Sequence, residues 1–203
     1  MKRQNAQRFL LSLLLPTAML LTLYGCLAIR KEKERMPELE TLISFTCAPE
    51  NIAALLPEVR HAFSKVAAAY LRQTGEKLLV TSGKRSLRHC AELMAGFSRQ
   101  QLEGMYCRNG YPDYIRSIVQ AQEKQGSLLT AEQVYQILQK RQGGYISWHL
   151  LGAAIDISSQ LSNPQLLREL LQEHGFSAFD EQVFGIACIH ATFKGLKAEI
   201  IRE

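Results

Sequence analysis

The chain has 203 residues, of which 47% are hydrophobic and 21% are charged, and its formal net charge is +5. This composition is typical of a globular protein and excludes a wholly disordered chain. Residues 1–35 contain seven basic and two acidic side chains, so the entire net charge comes from this segment. The neutral remainder argues against a basic face that would bind the phosphates of a nucleic acid.

The amino-terminal segment has the pattern of a membrane anchor or a secretory signal. Residues 1–8 are basic, and the run Phe9–Ile29 contains no charged side chain. A helical stretch of that length spans the roughly 30 Å of hydrocarbon in a bilayer. We therefore predict an N-terminal signal or transmembrane anchor over residues 1–29, followed by a charged stalk over residues 30–45.

Within this apolar run, Leu23-Tyr24-Gly25-Cys26 resembles a bacterial lipobox, in which signal cleavage leaves a lipidated cysteine. Tyr24 is bulky for such a site, and Leu27-Ala28-Ile29 after the cysteine stay apolar, so a transmembrane anchor and lipidation of Cys26 are both open. Either anchor predicts a place in the bacterial cell envelope. The following domain is expected on the extracytoplasmic side, because the basic amino terminus favours the cytoplasmic side.

The rest of the chain contains four cysteines, namely Cys47, Cys90, Cys107 and Cys188. An even number in an exported domain is typical of two disulfides, with three possible pairings that the sequence does not rank. Buried free thiols are the alternative prediction. No Cys-x-x-Cys pair and no Cys/His spacing indicates a structural zinc site.

Helical and extended patterns follow one another along the body of the chain. Apolar residues recur at three- and four-residue spacing over residues 50–72, which predicts a helix whose longer piece begins at Pro57. Lys77–Ser82 has the short apolar pattern of a buried strand. Ser86 is a good capping residue, and it predicts a helix that runs to about Leu102.

The second half of the body has fewer regular patterns. Residues 103–127 are rich in Gly, Tyr, Asn and Arg without a clear period, which predicts an irregular insertion. Four elements are then predicted: a helix Val134–Arg141 after a capping box at Thr130, a strand Ala153–Ser158, a helix from Asn163 to Gly175, and a strand Phe184–Phe193. Helices with a few scattered strands indicate the α+β class.

The segment Ser147–Ile157 has the most specific chemical pattern in the chain. His149 and Asp156 lie seven residues apart, and Gly152 and Ala153 between them are small enough for a tight turn. Imidazole and carboxylate are both good zinc ligands, and two from one short segment leave a third to come from elsewhere. Taken alone, this spacing is common and is more typical of a surface His and a strand-end Asp than of a metal site.

The complete pattern S-x-H-x-x-G-x-A-x-D-I resembles the signature of the M15-type zinc D-alanyl-D-alanine peptidases, which share a metal-site scaffold with the hedgehog signalling domain. Thr81–Ser86 is similar to the SGxR strand end of that family, and His190 stands where its last ligand is expected. The resemblance covers roughly residues 50–195. It implies a hedgehog/DD-peptidase-like fold, a small antiparallel sheet flanked by helices, in a peptidase-like domain over residues 46–203.

The resemblance also implies individual roles for five residues. His149, Asp156 and His190 would hold Zn²⁺ and leave a fourth position for water, which is the arrangement of a catalytic zinc site. The metal would lower the pKa of that water and polarise the scissile carbonyl. Arg85 would bind the terminal carboxylate of the substrate through paired hydrogen bonds, with support from the Ser147 hydroxyl.

One position departs from the family pattern. Most members carry a general-base Glu three residues before the last His, where this chain has Ala187, and an alanine side chain cannot accept a proton. Glu181, Asp180 and His89 are substitutes that the spacing does not rank. Cys188 alternates with His190 on the predicted strand and could face the same site, although a packed or disulfide-bonded thiol is the commoner role.

Two functions follow from these patterns. The first is a membrane-anchored zinc metallopeptidase that hydrolyses D,D-type amide bonds of peptidoglycan stem peptides, a D-alanyl-D-alanine carboxypeptidase type. The second is a catalytically impaired zinc-binding domain that binds cell-wall peptide or a protein partner. Ala187 favours the second function, whereas the rest of the signature favours the first.

Overall fold

The computed structural model describes residues 38–107, 110–142 and 146–197, in which helices surround one mixed β-sheet. The architecture is α+β, as the sequence predicts. No helix in these ranges is both long and apolar enough to cross a membrane. The predicted anchor over residues 1–29, with Cys26, lies outside the described residues.

Prolines and capping side chains account for most of the helix starts. In chain order the helices are α1 (Leu39–Leu42), α2 (Pro49–Ala53), α3 (Pro57–Thr74), α4 (Leu87–Ala95), α5 (Arg99–Tyr106), α6 (Asp113–Gln125), α7 (Ala131–Lys140) and α8 (Pro164–Glu173), and a 3₁₀ turn covers Glu181–Phe184. Proline begins α2, α3 and α8, because its fixed φ suits the first helical position. The hydroxyls of Ser86, Ser98 and Thr130 cap α4, α5 and α7 by accepting a backbone N–H hydrogen bond.

Five strands of the described chain form the sheet, in the order β1-β2-β3-β5-β4. They are β1 (Ile43–Phe45), β2 (Leu78–Ser82), β3 (Ala154–Ser158), β4 (Phe176–Asp180) and β5 (Cys188–Phe193). The pair β1 and β2 is parallel, and the other neighbouring pairs are antiparallel. The sheet is therefore mixed, which corrects the predicted antiparallel sheet, because β1 adds a parallel edge strand.

Two hydrophobic clusters stabilise the domain. The first joins the sheet to α1, α3 and α8 and includes the fully buried Phe63, Tyr70, Ile155 and Phe176. The second lies among α4 to α7 and includes the fully buried Ile118. Burial of large apolar side chains is the main favourable term in folding, so these clusters hold the strands and helices that carry the site.

The folded domain begins before the boundary predicted at residue 46. Helix α1 buries Leu39 and Leu42, and β1 buries Ile43, all within the first hydrophobic cluster. The acidic Glu40 between them lies on the outside and pairs with Arg60 at 2.9 Å. The prediction of a stalk is therefore wrong for residues 38–45, because their apolar side chains pack into the core while the charges face outward.

The prediction of an irregular insertion over residues 103–127 is also wrong. Its first residues complete α5, and Asp113–Gln125 forms α6. One face of α6 buries four side chains, those of Tyr114, Ile115, Ile118 and Val119. The helix predicted from Ser86 to Leu102 is likewise two helices, because Ser98 starts α5 with a capping box of its own.

Several local predictions are confirmed, with two differences near the end of the chain. The structure contains the predicted helices at α3, α7 and α8 and the predicted strands at β2 and β3. The last strand begins only at Cys188, since residues 181–184 form the 3₁₀ turn, and β4 is not among the predicted strands. None of the described cysteines Cys47, Cys90, Cys107 and Cys188 forms a disulfide, in agreement with the thiol alternative, although only Cys90 and Cys188 are buried.

Candidate metal centre

Three side chains bring atoms of metal-ligand type together. The Nδ1 atom of His190 lies 2.8 Å from Oδ1 of Asp156. The Nε2 atom of His149 lies 3.2 Å from the same oxygen and 3.3 Å from His190 Nδ1. His149 and Asp156 are buried, whereas 23% of the His190 side chain is exposed. Two imidazoles and one carboxylate in this arrangement could hold a metal ion.

The register of the sheet places two of these residues side by side. Asp156 on β3 is the direct cross-strand partner of His190 on β5. Their chain neighbours Ile155, Ile157 and Ile189 belong to the first hydrophobic cluster. Because successive residues of a strand point to opposite faces, Asp156 and His190 share the face that is turned away from this cluster.

A tight turn before β3 positions His149. The N–H of Gly152 donates to the carbonyl of His149 at 3.1 Å, and the N–H of Ala153 donates to that of Trp148 at 2.9 Å. Gly152 has a φ of 71°, which residues with a side chain rarely adopt. A Cβ atom there would also lie 2.8 Å from the carbonyl oxygen of Ala54. The predicted tight turn at Gly152 is therefore confirmed.

Each imidazole makes a contact through its second ring nitrogen, and this contact orients the ring. His149 donates from Nδ1 to the carbonyl oxygen of Gly83 at 2.6 Å, which leaves Nε2 as its ligand atom. Nε2 of His190 lies 3.0 Å from Oγ1 of Thr192. Metal-binding histidines generally make such a second contact, because it sets the orientation and tautomer of the ring. Thr192 is not among the site residues predicted from the sequence, although its position two residues after His190 on a strand places both on one face.

Burial and neighbouring charges set the protonation of the cluster. Burial is the main reason why the pKa of His149 falls to about 4, so this imidazole is neutral at physiological pH. Burial opposes ionisation of Asp156, but its interactions with His149 and with the Arg85 guanidinium outweigh it and hold the pKa of this carboxyl well below its usual range. A neutral imidazole and an ionised carboxylate are the states that bind a metal.

We expect the metal-free protein to lose stability as the pH falls from 6.5 towards 4. The pKa of His149 is lowered from 6.5 to about 4 in the folded chain, so in this window the unfolded chain binds a proton that the folded chain does not. Urea unfolding midpoints across this range measure the effect. The dependence should be flatter in His149→Gln and unchanged in His61→Gln, which alters an exposed imidazole. An equally steep dependence in His149→Gln would contradict this assignment.

The structure also brings Arg85 and Ser147 next to the cluster, where both contact the protein. Arg85 forms an ion pair with the Oδ2 oxygen of Asp156 and donates from Nε to the Ser82 hydroxyl at 2.7 Å. The Ser147 hydroxyl accepts a hydrogen bond from the N–H of His149 at 3.3 Å. These contacts orient two members of the cluster and use two of the five N–H donors of the guanidinium.

The cluster borders a cavity of about 540 Å³. Its polar lining consists of Arg85, Ser147, His149, Ser177, Glu181, His190 and Thr192. The remaining lining is largely apolar and aromatic, from Met105, Tyr106, Pro112, Tyr114, Ile146, Trp148 and Phe179. A cavity of this size and lining can accept a small molecule or the end of a peptide.

An acid and a thiol lie beside the three-residue cluster. Asp156, Glu181 and Cys188 bring ligand-type atoms within 4.8 Å of one another, and the Cys188 thiol donates to Oε2 of Glu181 at 3.2 Å. Burial, together with the charges of Asp156 and Glu181, raises the pKa of Cys188, so its sulfur is protonated and is not a thiolate ligand. Cys188 therefore faces the site, and it acts there as a hydrogen-bond donor.

Among the three predicted substitutes for the missing base, only Glu181 belongs to the lining of the cavity. His89 is exposed and lies 3.1 Å from the carboxylate of Glu92. Asp180 accepts a hydrogen bond from the N–H of Gln182 at 3.0 Å and thereby caps the 3₁₀ turn. The structure thus separates three candidates that the sequence spacing cannot rank.

Comparisons with known proteins do not assign the site. A scan against protein-family models, a search of curated proteins and a search of solved structures each found no match. The function of the site has to be inferred from its own side chains. Two imidazoles and a carboxylate meet beside a cavity. Among the described residues, the lining of this cavity contains one guanidinium and one further carboxylate.

Proposed function

We propose that this chain is an extracytoplasmic zinc metallopeptidase-like protein of the M15 D-alanyl-D-alanine carboxypeptidase type, with a hedgehog/DD-peptidase-like fold. Its reaction would be hydrolysis of D,D-type amide bonds in peptidoglycan stem peptides. The observation that carries the proposal is the meeting of His149, Asp156 and His190 beside a cavity. These are the three residues that the sequence signature implies as ligands.

The donor set and its spacing suit a zinc ion. Tetrahedral Zn²⁺ with bonds of roughly 2.0–2.2 Å separates its ligand atoms by about 3.3 Å. The three ligand atoms of this cluster are 2.8, 3.2 and 3.3 Å apart, so only small side-chain shifts would be needed. Zinc held by three protein ligands would lower the pKa of a water in the fourth position and polarise a carbonyl group.

The cavity lining supports a substrate with a free carboxylate. Arg85 brings its guanidinium to the cavity beside the cluster, and guanidinium groups pair well with carboxylates. Ser147 adds a hydroxyl group to the same lining. Tyr106 and Trp148 supply aromatic surface on which the methyl groups of a D-alanyl dipeptide can pack. These groups favour cleavage close to a chain end.

We also propose that residues 1–29 anchor the domain in the bacterial cell envelope, with the domain on the extracytoplasmic side. The charge-free run Phe9–Ile29 between basic flanks supports this location. Metabolic labelling with a fatty acid separates the two anchors. Label that is incorporated in wild type but absent from Cys26→Ser indicates a lipid anchor, and no label in either indicates a transmembrane anchor.

The purified protein is expected to contain about one zinc ion per chain and to release D-alanine from a stem peptide that ends in D-Ala-D-Ala. Elemental analysis measures the metal, and an amino-acid assay measures the release. Chelation should abolish the release, and added Zn²⁺ should restore it. A folded, metal-free preparation that takes up no added zinc would contradict the proposal.

The second candidate function, a zinc-binding domain without hydrolytic activity, is favoured by the residue at position 187. Ala187 is exposed and provides no proton acceptor. Such a domain would bind cell-wall peptide or a protein partner through the same cavity. Zinc and stem-peptide binding without D-alanine release from a range of substrates would support this function over the first.

A further inference from the structure

Amide hydrolysis at this cluster needs a group that accepts a proton from the attacking water. Ala187 cannot do so, and the three ligand side chains are occupied when a metal is bound. The carboxylate of Glu181 is the one acidic side chain among the described residues that line the cavity. The same lining contains His149 and His190.

Several contacts hold the backbone of Glu181 in place. The residue begins the 3₁₀ turn Glu181–Phe184, and its carbonyl accepts a hydrogen bond from the N–H of Ile186 at 3.2 Å. The carbonyl of Phe184 accepts a hydrogen bond from Gln101 on α5 at 3.2 Å. The Phe184 ring packs so closely on Gly104 that a Cβ atom there would lie 2.4 Å from it. These two contacts of Phe184 hold the turn against α5.

The Glu181 side chain is directed to the cluster. Cys188 shares a face of β5 with His190, and its thiol donates to Oε2 of Glu181 at 3.2 Å. A carboxylate oxygen of Glu181 lies within 4.8 Å of one of Asp156. Since a water forms hydrogen bonds of about 2.8 Å, one water can contact both carboxylates.

We propose that Glu181 is the proton-transfer residue of this site and replaces the base that is missing at position 187. The inference rests on the proposed peptidase function. The Glu181 carboxylate accepts one proton from water as the water oxygen bonds to the scissile carbonyl carbon. It returns this proton to the amide nitrogen as the C–N bond breaks. One water is consumed, and one carboxylic acid and one amine are released.

The surroundings of Glu181 suit this role. The residue remains partly exposed to the cavity, so water and substrate can reach it.

The test compares zinc-loaded wild type with zinc-loaded Glu181→Gln. Gln keeps the size of the side chain and an acceptor for the Cys188 thiol, but it cannot take up a proton. We expect kcat for D-alanine release to fall about 100- to 10,000-fold. The matched control Glu169→Gln changes an exposed carboxylate on α8 and should leave kcat unchanged.

Two further readouts separate proton transfer from a structural role. The zinc content of Glu181→Gln should equal that of wild type. Its Kd for D-alanyl-D-alanine should stay within about threefold, as is expected for a group that acts on the chemical step. Trp148 is the single tryptophan of the chain and lines the cavity, so its fluorescence can report this binding. Added formate should partly restore kcat in Glu181→Ala but not in Glu181→Gln.

The outcomes that overturn the inference are distinct from failure of the proposed function. A kcat for Glu181→Gln within about tenfold of wild type excludes Glu181 as the proton-transfer residue. Loss of zinc from Glu181→Gln also excludes it, because the side chain would then act in metal binding. Zinc-loaded wild type that binds the dipeptide but releases no D-alanine would contradict the hydrolysis itself, and the proton-transfer role with it.

Discussion

Replacing His190 by alanine is expected to remove the metal ion. Two ligands would remain, and two are too few for a stable zinc site, so the zinc content after dialysis should fall from about one per chain to less than about one tenth. His190 is the most exposed ligand, with 23% of its side chain accessible, so its removal disturbs packing least. Elemental analysis of the dialysed protein, with circular dichroism to confirm the fold, measures this outcome.

Two further variants are expected to show a partial loss of zinc binding and no loss, respectively. Thr192→Val keeps the ligand but removes the hydroxyl that lies 3.0 Å from Nε2 of His190, and it should weaken zinc binding by about 10- to 100-fold. His89→Ala removes an exposed imidazole outside the cluster and should leave the zinc content unchanged. Full zinc retention in His190→Ala would exclude His190 as a ligand.

Replacing Gly152 by alanine is expected to destabilise the domain by roughly 2–4 kcal/mol, because two costs add at this position. The positive φ of 71° is unfavourable for any residue with a Cβ atom. That atom would also lie 2.8 Å from the carbonyl oxygen of Ala54, a backbone group that cannot rotate away. The N–H of Gly152 bonds to the His149 carbonyl, so zinc binding should weaken as well. Urea unfolding of the metal-free protein measures the free energy of unfolding.

Gly126 provides a matched control for the backbone conformation alone. Its φ of 72° is nearly the same, but an added Cβ atom would meet nothing within 4 Å. Gly126→Ala should therefore cost only about 1–2 kcal/mol and should leave zinc binding unchanged. Equal losses of stability in Gly152→Ala and Gly126→Ala would show that the close approach to Ala54 contributes nothing.

Elements with strong local signals were predicted from the sequence. Helix α3 follows from apolar residues at helical spacing behind Pro57. Strand β3 follows from the short apolar run around Asp156, since Ile155 and Ile157 on either side are fully buried. In both cases the apolar signal lies within one element, so residues that are adjacent in the sequence are enough to predict it.

Strands that depend on distant partners are not predicted from the sequence. Strand β1 has only three residues, and it exists because Ile43–Phe45 pairs with β2. Strand β4 likewise depends on its pairing with β5. Helix α6 has a local signal, with Ile115, Ile118 and Val119 buried on one face. The polar and glycine-rich residues before α6 lack a helical period, and they obscure this signal.

The same division applies to the candidate site. The α+β class and the pair His149 and Asp156 could be predicted from residues that are close in the sequence, because one short turn joins this pair. The distant groups that meet the pair depend on how the strands and helices pack together. The register of β3 and β5 places His190 opposite Asp156, although 34 residues separate them, and a shift of one residue would turn His190 to the other face. The 3₁₀ turn after β4 likewise brings Glu181 to the cavity, because strand pairing and contacts with α5, not sequence distance, position that turn.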